Sequence, residues 1–202
     1  MQTHTLLLIA SSAAVSAEVP LPRWALEQLA DVPWVVVRRG FLRDGAIPIG
    51  LRGRTRSERC AAWVEPASVR TSVTPQELAA LGGWRTHPRR AALPAFEALD
   101  GVEAIMVAAG LATQWGPGGS VGFELASGHA TVRPESDLDI VVQLPEPLTR
   151  HAARSLDQQL RQLPVRSDVL LESPAGGFAL SEYARTGGRG LLRTPAGPRL
   201  IA

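Results

Sequence analysis

The chain has 202 residues, 45% of them hydrophobic, with 21 arginines against 19 acidic residues, no lysine and a single cysteine. That is enough for one large or two small cored domains. It excludes an internal disulfide or a cysteine-based metal site, and no apolar run reaches the ~18 residues that a membrane-spanning helix needs.

Near the start, Leu6-Leu-Leu-Ile-Ala followed by Ala14-Val-Ser-Ala17 has the outline of a secretory leader. Residues 2–5 carry no Lys or Arg, which such a leader normally has. We therefore read it as a first element packed on the domain, and the protein as cytoplasmic. Arg23-Trp-Ala-Leu-Glu-Gln-Leu-Ala30 has the apolar spacing of a short amphipathic helix, ended by Pro33. Trp34-Val-Val-Val37 predicts a buried strand. Asp44-Gly45 marks a turn, and residues 47–51 a returning strand with Pro48 at an edge or strand start. Arginine-rich 52–57 leads into a helix expected over 57–64, capped by Ser57, with Cys60 as a buried thiol. Thr74-Pro-Gln-Glu77 combines a cap, a first-turn proline and a capping-box glutamate, so a helix starts there.

Residues 82–90 are rich in Gly, Pro and polar groups, and the charge balance reverses nearby. Residues 1–90 carry twelve arginines against seven acidic groups (+5), whereas residues 91–202 carry nine against twelve (−3). The boundary is placed there, giving a basic domain over 1–88 and a second domain over 89–202. A helix is expected from Leu93 to Val107 with Gly101 as a break point. An amphipathic helix follows over 149–163, stopped by Pro164, and then a strand over 165–172.

Between those helices lies Trp115-Gly-Pro-Gly-Gly-Ser-Val-Gly-Phe-Glu-Leu, then Ser136-Asp-Leu-Asp-Ile-Val-Val142. Glycines let the backbone approach an anion, and Ser120 as N-cap of a helix from Val121 would add a helix dipole. Gly118, Gly119 and Ser120 are thus candidate phosphate ligands. On a strand, alternation sets Asp137 and Asp139 on one face and Leu138 and Ile140 on the other. Two neighbouring carboxylates repel each other, a cost that Mg²⁺ removes. Taken alone, the glycine turn could be loop punctuation and the Asp-x-Asp a solvated strand end. No Gly-Lys-Ser/Thr follows the glycines, which argues against a P-loop ATPase. His129 and His151 have no partners at metal-ligand spacing and read as surface residues.

A Gly-Gly-Ser turn followed by Asp-x-Asp on a strand resembles the nucleotidyltransferase superfamily. The longer strings resemble more narrowly the phosphoribosyl-dephospho-CoA transferase family, the holo-acyl-carrier-protein synthases of malonate decarboxylase. Val35-Val-Val-Arg-Arg39, Ile47-Pro-Ile-Gly-Leu-Arg-Gly53 with Arg56 and Arg59, and Ser167-Asp-Val-Leu-Leu-Glu-Ser-Pro-Ala-Gly-Gly177 fit the same family. The resemblance covers the chain from about Trp34 onward. It implies an α/β (α+β) fold: a small mixed N-terminal domain plus a nucleotidyltransferase-like domain with a small mixed sheet flanked by helices.

The implied reaction moves phosphoribosyl-dephospho-CoA from 2′-(5″-triphosphoribosyl)-3′-dephospho-CoA to a serine of the malonate decarboxylase acyl-carrier subunit, releasing pyrophosphate. It implies two Mg²⁺ ions, or Mn²⁺ in their place, held by Asp137, Asp139 and, from a neighbouring strand, Asp168. Glu172 shares the expected face of Asp168 but lies about 13 Å along the strand. Glu124 stands open between a site carboxylate and an exposed residue. Arg52, Arg56 and Arg59, within a group including Arg38, Arg39 and Arg54, are candidate ligands of donor phosphates or of the acidic carrier. Aromatic interleaving for nucleic acid is thin, with Trp63 the nearest ring, so no nucleic-acid partner is expected. The rival enzyme is another Mg-dependent nucleotidyltransferase, using ATP or CTP on a small molecule, protein or RNA. The rival from another class is a non-catalytic binding module, which would have no need of three carboxylates.

Overall fold

A computed structural model describes residues 1–53, 55, 57–186 and 189–201. Arg54 and Arg56 therefore lie outside the described residues. Among the described residues the chain is a mixed α/β protein with six α-helices and two six-stranded sheets. It forms two units, Met1–Thr74 and Pro75–Ala202.

In the first unit the strands are β1 (Leu6–Ile9), β2 (Val15–Ser16), β3 (Trp34–Val37), β4 (Ile47–Arg52), β5 (Arg59–Val64) and β6 (Val69–Val73). They lie in the order β2-β5-β4-β3-β1-β6, every pairing antiparallel. Helix α1 (Arg23–Asp31) lays Ala25 and Leu29 into a core with Leu7, Ile9, Val35, Val37 and Ile49. The apolar N-terminal run is thus β1, between β3 and β6, with Leu7 fully buried. The helix expected over 57–64 is instead β5. Its six residues pair one for one with β4, from Ile47↔Val64 to Arg52↔Arg59. Cys60, Ala62 and Val64, two apart, turn to the core, and that period outweighs the helix preference of Ala61 and Ala62. Cys60 is a free, half-buried thiol rather than a buried one.

The second unit begins with α2 (Pro75–Leu81) and α3 (Pro94–Ala108), then β7 (Trp115–Pro117), α4 (Gly119–Ser127), β8 (Leu138–Gln143) and α5 (Arg150–Leu160). It continues through β9 (Ser167–Ser173), β10 (Gly176–Ala179), α6 (Leu180–Thr186), β11 (Gly190–Thr194) and β12 (Gly197–Ile201). The sheet order is β12-β11-β10-β9-β8-β7. Only β8 and β9 run parallel, joined by the α5 crossover; the other pairings are antiparallel. Helices α3 and α5 pack Phe96, Leu99, Val102, Leu156 and Leu160 onto Leu138, Ile140 and Val142. Helix α3 runs through Gly101 without a break, and the missing side chain makes room for Leu163, whose Cδ2 would lie 2.7 Å from a Cβ there. Among the described residues no helix is long and apolar enough to cross a membrane.

The division falls after Thr74, ahead of the 88/89 boundary drawn from composition. Residues 82–90 are built into the second unit. Gly82 closes α2 at φ +61. Trp84 is fully buried, donates from Nε1 to Asp100 Oδ1 at 2.8 Å, and meets the Trp115 ring at 6.0 Å. Arg90 pairs with Asp100 at 2.7 Å. One buried tryptophan and three ion-pairing arginines, Arg85 with Glu103, Arg89 with Glu124 and Arg90 with Asp100, thus anchor the Gly-, Pro- and polar-rich stretch where composition places the boundary.

Candidate active site

In the parallel β8–β9 pair, Asp139 lies directly beside Asp168. Residues two apart on a strand share a face. Leu138, Ile140 and Val142 join the core with Leu171, so Asp139 and Asp168 turn to the opposite face of the sheet. Neighbouring strands are about 4.8 Å apart, close enough for two aspartates to act on one ligand. Asp139 is half-buried and Asp168 exposed. Arg166 Nη2 donates to both oxygens of the Asp168 carboxylate at 3.3 Å, a weak surface contact a ligand can displace.

Asp137 precedes the ladder, which begins where the Leu138 N–H donates to Arg166 O at 2.9 Å. It stands exposed on the approach rather than on the strand. Glu172 is only 3% exposed and lies beside Gln143, four residues beyond Asp168. Among the described residues no group of three or more His, Cys, Asp or Glu could hold a metal ion. The pair Asp139–Asp168 nevertheless suits Mg²⁺, a hard ion usually bound by one or two carboxylates together with substrate phosphates and water. By donor chemistry these two residues could hold the ion.

The glycine turn backs onto the same pair. Gly116 pairs with Val141, and a Cβ on it would sit 1.8 Å from Pro75 O, so its bareness admits the start of α2. The Gly118 N–H donates to Asp139 O at 2.8 Å; this amide extends the sheet and is not offered to a ligand. Gly118 is also the N-cap of α4, two residues before the serine expected in that role. Gly119 has φ +53, and a Cβ on it would fall 1.9 Å from Asp139 Oδ2. The first turn of α4 therefore abuts the Asp139 carboxylate. The first helical bond of α4 runs from the Gly122 N–H to Gly118 O at 2.8 Å. The amides of Gly119, Ser120 and Val121 precede it, at the positive end of the helix dipole.

Glu124 turns out to be neither a ligand near the carboxylate pair nor an exposed residue. It is 1% exposed, and its two oxygens are engaged by Arg89 Nη1 at 2.8 and 2.9 Å. The N–H groups of Thr131 and Val132 both donate to Oε2 at 2.8 Å. Arg89 also donates from Nη2 to Val132 O at 2.9 Å. His87 Nε2 lies 3.6 Å from Oε1. Sequence reasoning missed Arg89, because it lies in the Gly-, Pro- and polar-rich stretch where composition places the domain boundary.

Of the basic candidates, Arg52 and Arg59 face each other across β4 and β5, both exposed, in the first unit. The guanidinium groups of Arg38 and Arg43 lie 5.1 and 5.3 Å from the ring centre of Trp63. By unit, the first has nine arginines against six acidic residues (+3) and the second twelve against thirteen (−1). An open groove of about 510 Å³ between α5 and α6 is lined by Arg154, Asp157, Arg161, Glu182 and Arg185. It lies outside α5, which covers the core face of the sheet, so it is across the sheet from Asp139 and Asp168.

Comparison with known proteins gives matches along nearly the whole chain. Residues 2–75 match the family described as "Phosphoribosyl-dephospho-CoA transferase MdcG N-terminal domain", and residues 79–202 its "C-terminal domain" counterpart. A phosphoribosyl-dephospho-CoA transferase of Azotobacter vinelandii is 40% identical over 201 residues, covering 99% of this chain and 92% of the relative. One from Pseudomonas putida is 41% identical over 181 residues, covering 90% and 84%. One from Pseudomonas aeruginosa is 38% identical over 200 residues, covering 99% and 91%. No solved structure matches.

Proposed function

The chain belongs to the phosphoribosyl-dephospho-CoA transferase family and is a transferase, and from that premise we propose the reaction it performs. The donor is 2′-(5″-triphosphoribosyl)-3′-dephospho-CoA, and the acceptor is a serine of the acyl-carrier subunit of malonate decarboxylase. A donor and a carrier of this kind support a cytoplasmic protein. The serine oxygen bonds to the α-phosphorus of the triphosphate, the bond from that phosphorus to the bridging oxygen breaks, and pyrophosphate leaves.

Asp139 and Asp168 would hold Mg²⁺, with Asp137 at the approach. When bound, the ion neutralises charge developing on the phosphate oxygens. The Gly119 and Ser120 amides and the α4 dipole hold the triphosphate against the pair. Asp168, the more exposed carboxylate, receives the serine proton. The basic first unit, with Arg52, Arg56 and Arg59, binds donor phosphates or the acidic face of the carrier.

One observation carries the reading: the residues that could bind a triphosphate start a helix whose Gly119 touches Asp139, which is in register with Asp168. The test is to incubate the protein with the donor, Mg²⁺ and the apo carrier, then weigh the carrier and assay pyrophosphate. A carrier heavier by one phosphoribosyl-dephospho-CoA, with an equal amount of pyrophosphate, is expected. An unmodified carrier, or modification from ATP or CTP instead, would overturn the assignment.

A further inference from the structure

Glu124 is buried on α4, yet it faces away from the reaction just described and coordinates no ligand in it. A buried ion pair is weak evidence for stability, since apolar residues of similar volume often pack as well or better. The geometry here does something an apolar pair could not. Glu124 takes the backbone N–H groups of Thr131 and Val132 together with Arg89 Nη1, while Arg89 Nη2 takes Val132 O. A guanidinium fork facing a carboxylate grips two backbone donors and one acceptor at once, and does so through charge-assisted bonds.

Three segments meet there: the turn around Arg89, helix α4, and the loop between α4 and β8. That loop has no regular structure from residue 128 to 137, and this lock fixes it at its middle. Thr131 Oγ1 then donates to Ser120 O at 2.9 Å, so the clamped loop also holds the first turn of α4. Further on, the Arg133 N–H donates to Ser136 Oγ at 3.0 Å, and Asp137 and Asp139 follow at once. The His87 ring, tilted 35° against Phe96 with centres 4.4 Å apart, also lies against Glu124, with Nε2 3.6 Å from Oε1.

We propose that Arg89 and Glu124 are positioning residues for the phosphate site. Through Thr131 they hold the Gly119–Ser120 amides, and the entry to Asp139, in one arrangement. This rests on the reading of α4 and Asp139 given above. The pair touches no reacting atom, so it acts through the backbone it holds. Displacing that backbone by about 1 Å can cost as much as a hundredfold in rate or affinity.

Inorganic triphosphate, as a competitive inhibitor, reports on the amide row without involving the acceptor. Its inhibition constant and the donor KM are measured at 10 °C for Arg89→Lys, Glu124→Gln and Thr131→Val, with thermal unfolding for each. Lysine keeps the charge but cannot hold Glu124 and Val132 O together. Valine removes only the bond to Ser120 O, with near-constant volume. Both constants are expected to rise roughly ten- to a hundredfold for Arg89→Lys and Glu124→Gln and about three- to tenfold for Thr131→Val, with the carrier KM unchanged.

A pair that serves stability alone would lower the unfolding temperature and leave both constants at the wild-type value in the folded protein. That result overturns the proposal. If Arg89→Lys and Glu124→Gln do not fold, Thr131→Val decides it in the same way. Asp139→Asn, assayed alongside, separates the two readings. Transfer retained there overturns the site itself, whereas transfer lost there with wild-type triphosphate inhibition in the folded variants overturns only the positioning role.

Discussion

Gly119 and Gly118 are neighbours with opposite tolerances, and the contrast tests the site closely. Gly119 sits at φ +53, where a residue with a Cβ costs about 1–2 kcal/mol. For a chain of this size that lowers the unfolding temperature by about 2–8 °C. The new methyl would also stand 1.9 Å from Asp139 Oδ2 and 2.7 Å from its Cγ, so the carboxylate must rotate off its present position. Gly118 has φ −112, and its added Cβ would lie 3.3 Å from Val141 Cγ2, with Asp139 Cβ and O at an ordinary contact distance of 3.8 Å. We expect Gly119→Ala to lose on the order of a hundredfold in transfer rate while still folding, because a reacting group displaced by about 1 Å loses that much. Gly118→Ala should keep most of both stability and rate. The assay is the mass of the carrier over time, beside thermal unfolding by circular dichroism. A folded Gly119→Ala protein with wild-type turnover would refute the view that the Asp139 carboxylate works where it lies.

Asp168→Ala should reduce transfer at least as much as Glu172→Gln, since only Asp168 lies beside Asp139; a dead Glu172→Gln with an active Asp168→Ala would reverse that assignment. Replacing Arg52 and Arg59 by Gln should raise KM for donor or carrier and flatten its dependence on salt, with turnover at saturation falling much less. Both affinities unchanged across a salt series would make those arginines a solvated face. Asp100 is held below the usual carboxylate range, first by the Trp84 indole N–H and then by Arg90. A depressed pKa contributes stability above the unfolded value of about 3.9, which is lost as pH falls through the lower folded value. Trp84→Phe should therefore lose more stability to urea at pH 7 than at pH 3; an equal loss at both would show that the indole contributes packing alone.

Much of the second unit was legible because its signals were local. The alternation in Leu138-Asp-Ile-Val-Val142, the apolar stripe of α5 and the Thr74-Pro75 helix start each sit within one element. The register that sets Asp139 beside Asp168 was not legible, because parallel pairing alone does not fix which residues lie opposite each other. What stayed hidden depended on distant partners. Residues 59–64 became a strand because β4 lay beside them. Trp84 and Arg89 anchor a Gly- and Pro-containing stretch through Asp100 and Glu124, respectively 16 and 35 residues away in sequence. Glu124 could not be assigned from its own helix, because its role is set by a loop and a turn on either side. Gly118 resembled a phosphate ligand in the sequence, but its amide completes a sheet.

The most direct measurement is of Asp139→Asn and Asp168→Asn, each assayed for transfer to the carrier and separately for donor binding. Each change removes negative charge at nearly constant volume, so the fold and the α4 amide row should survive. The account predicts that both variants unfold near the wild-type temperature, transfer at least about a hundredfold more slowly, and still bind triphosphate measurably. Folded variants that modify the carrier at the wild-type rate with Mg²⁺ would contradict it.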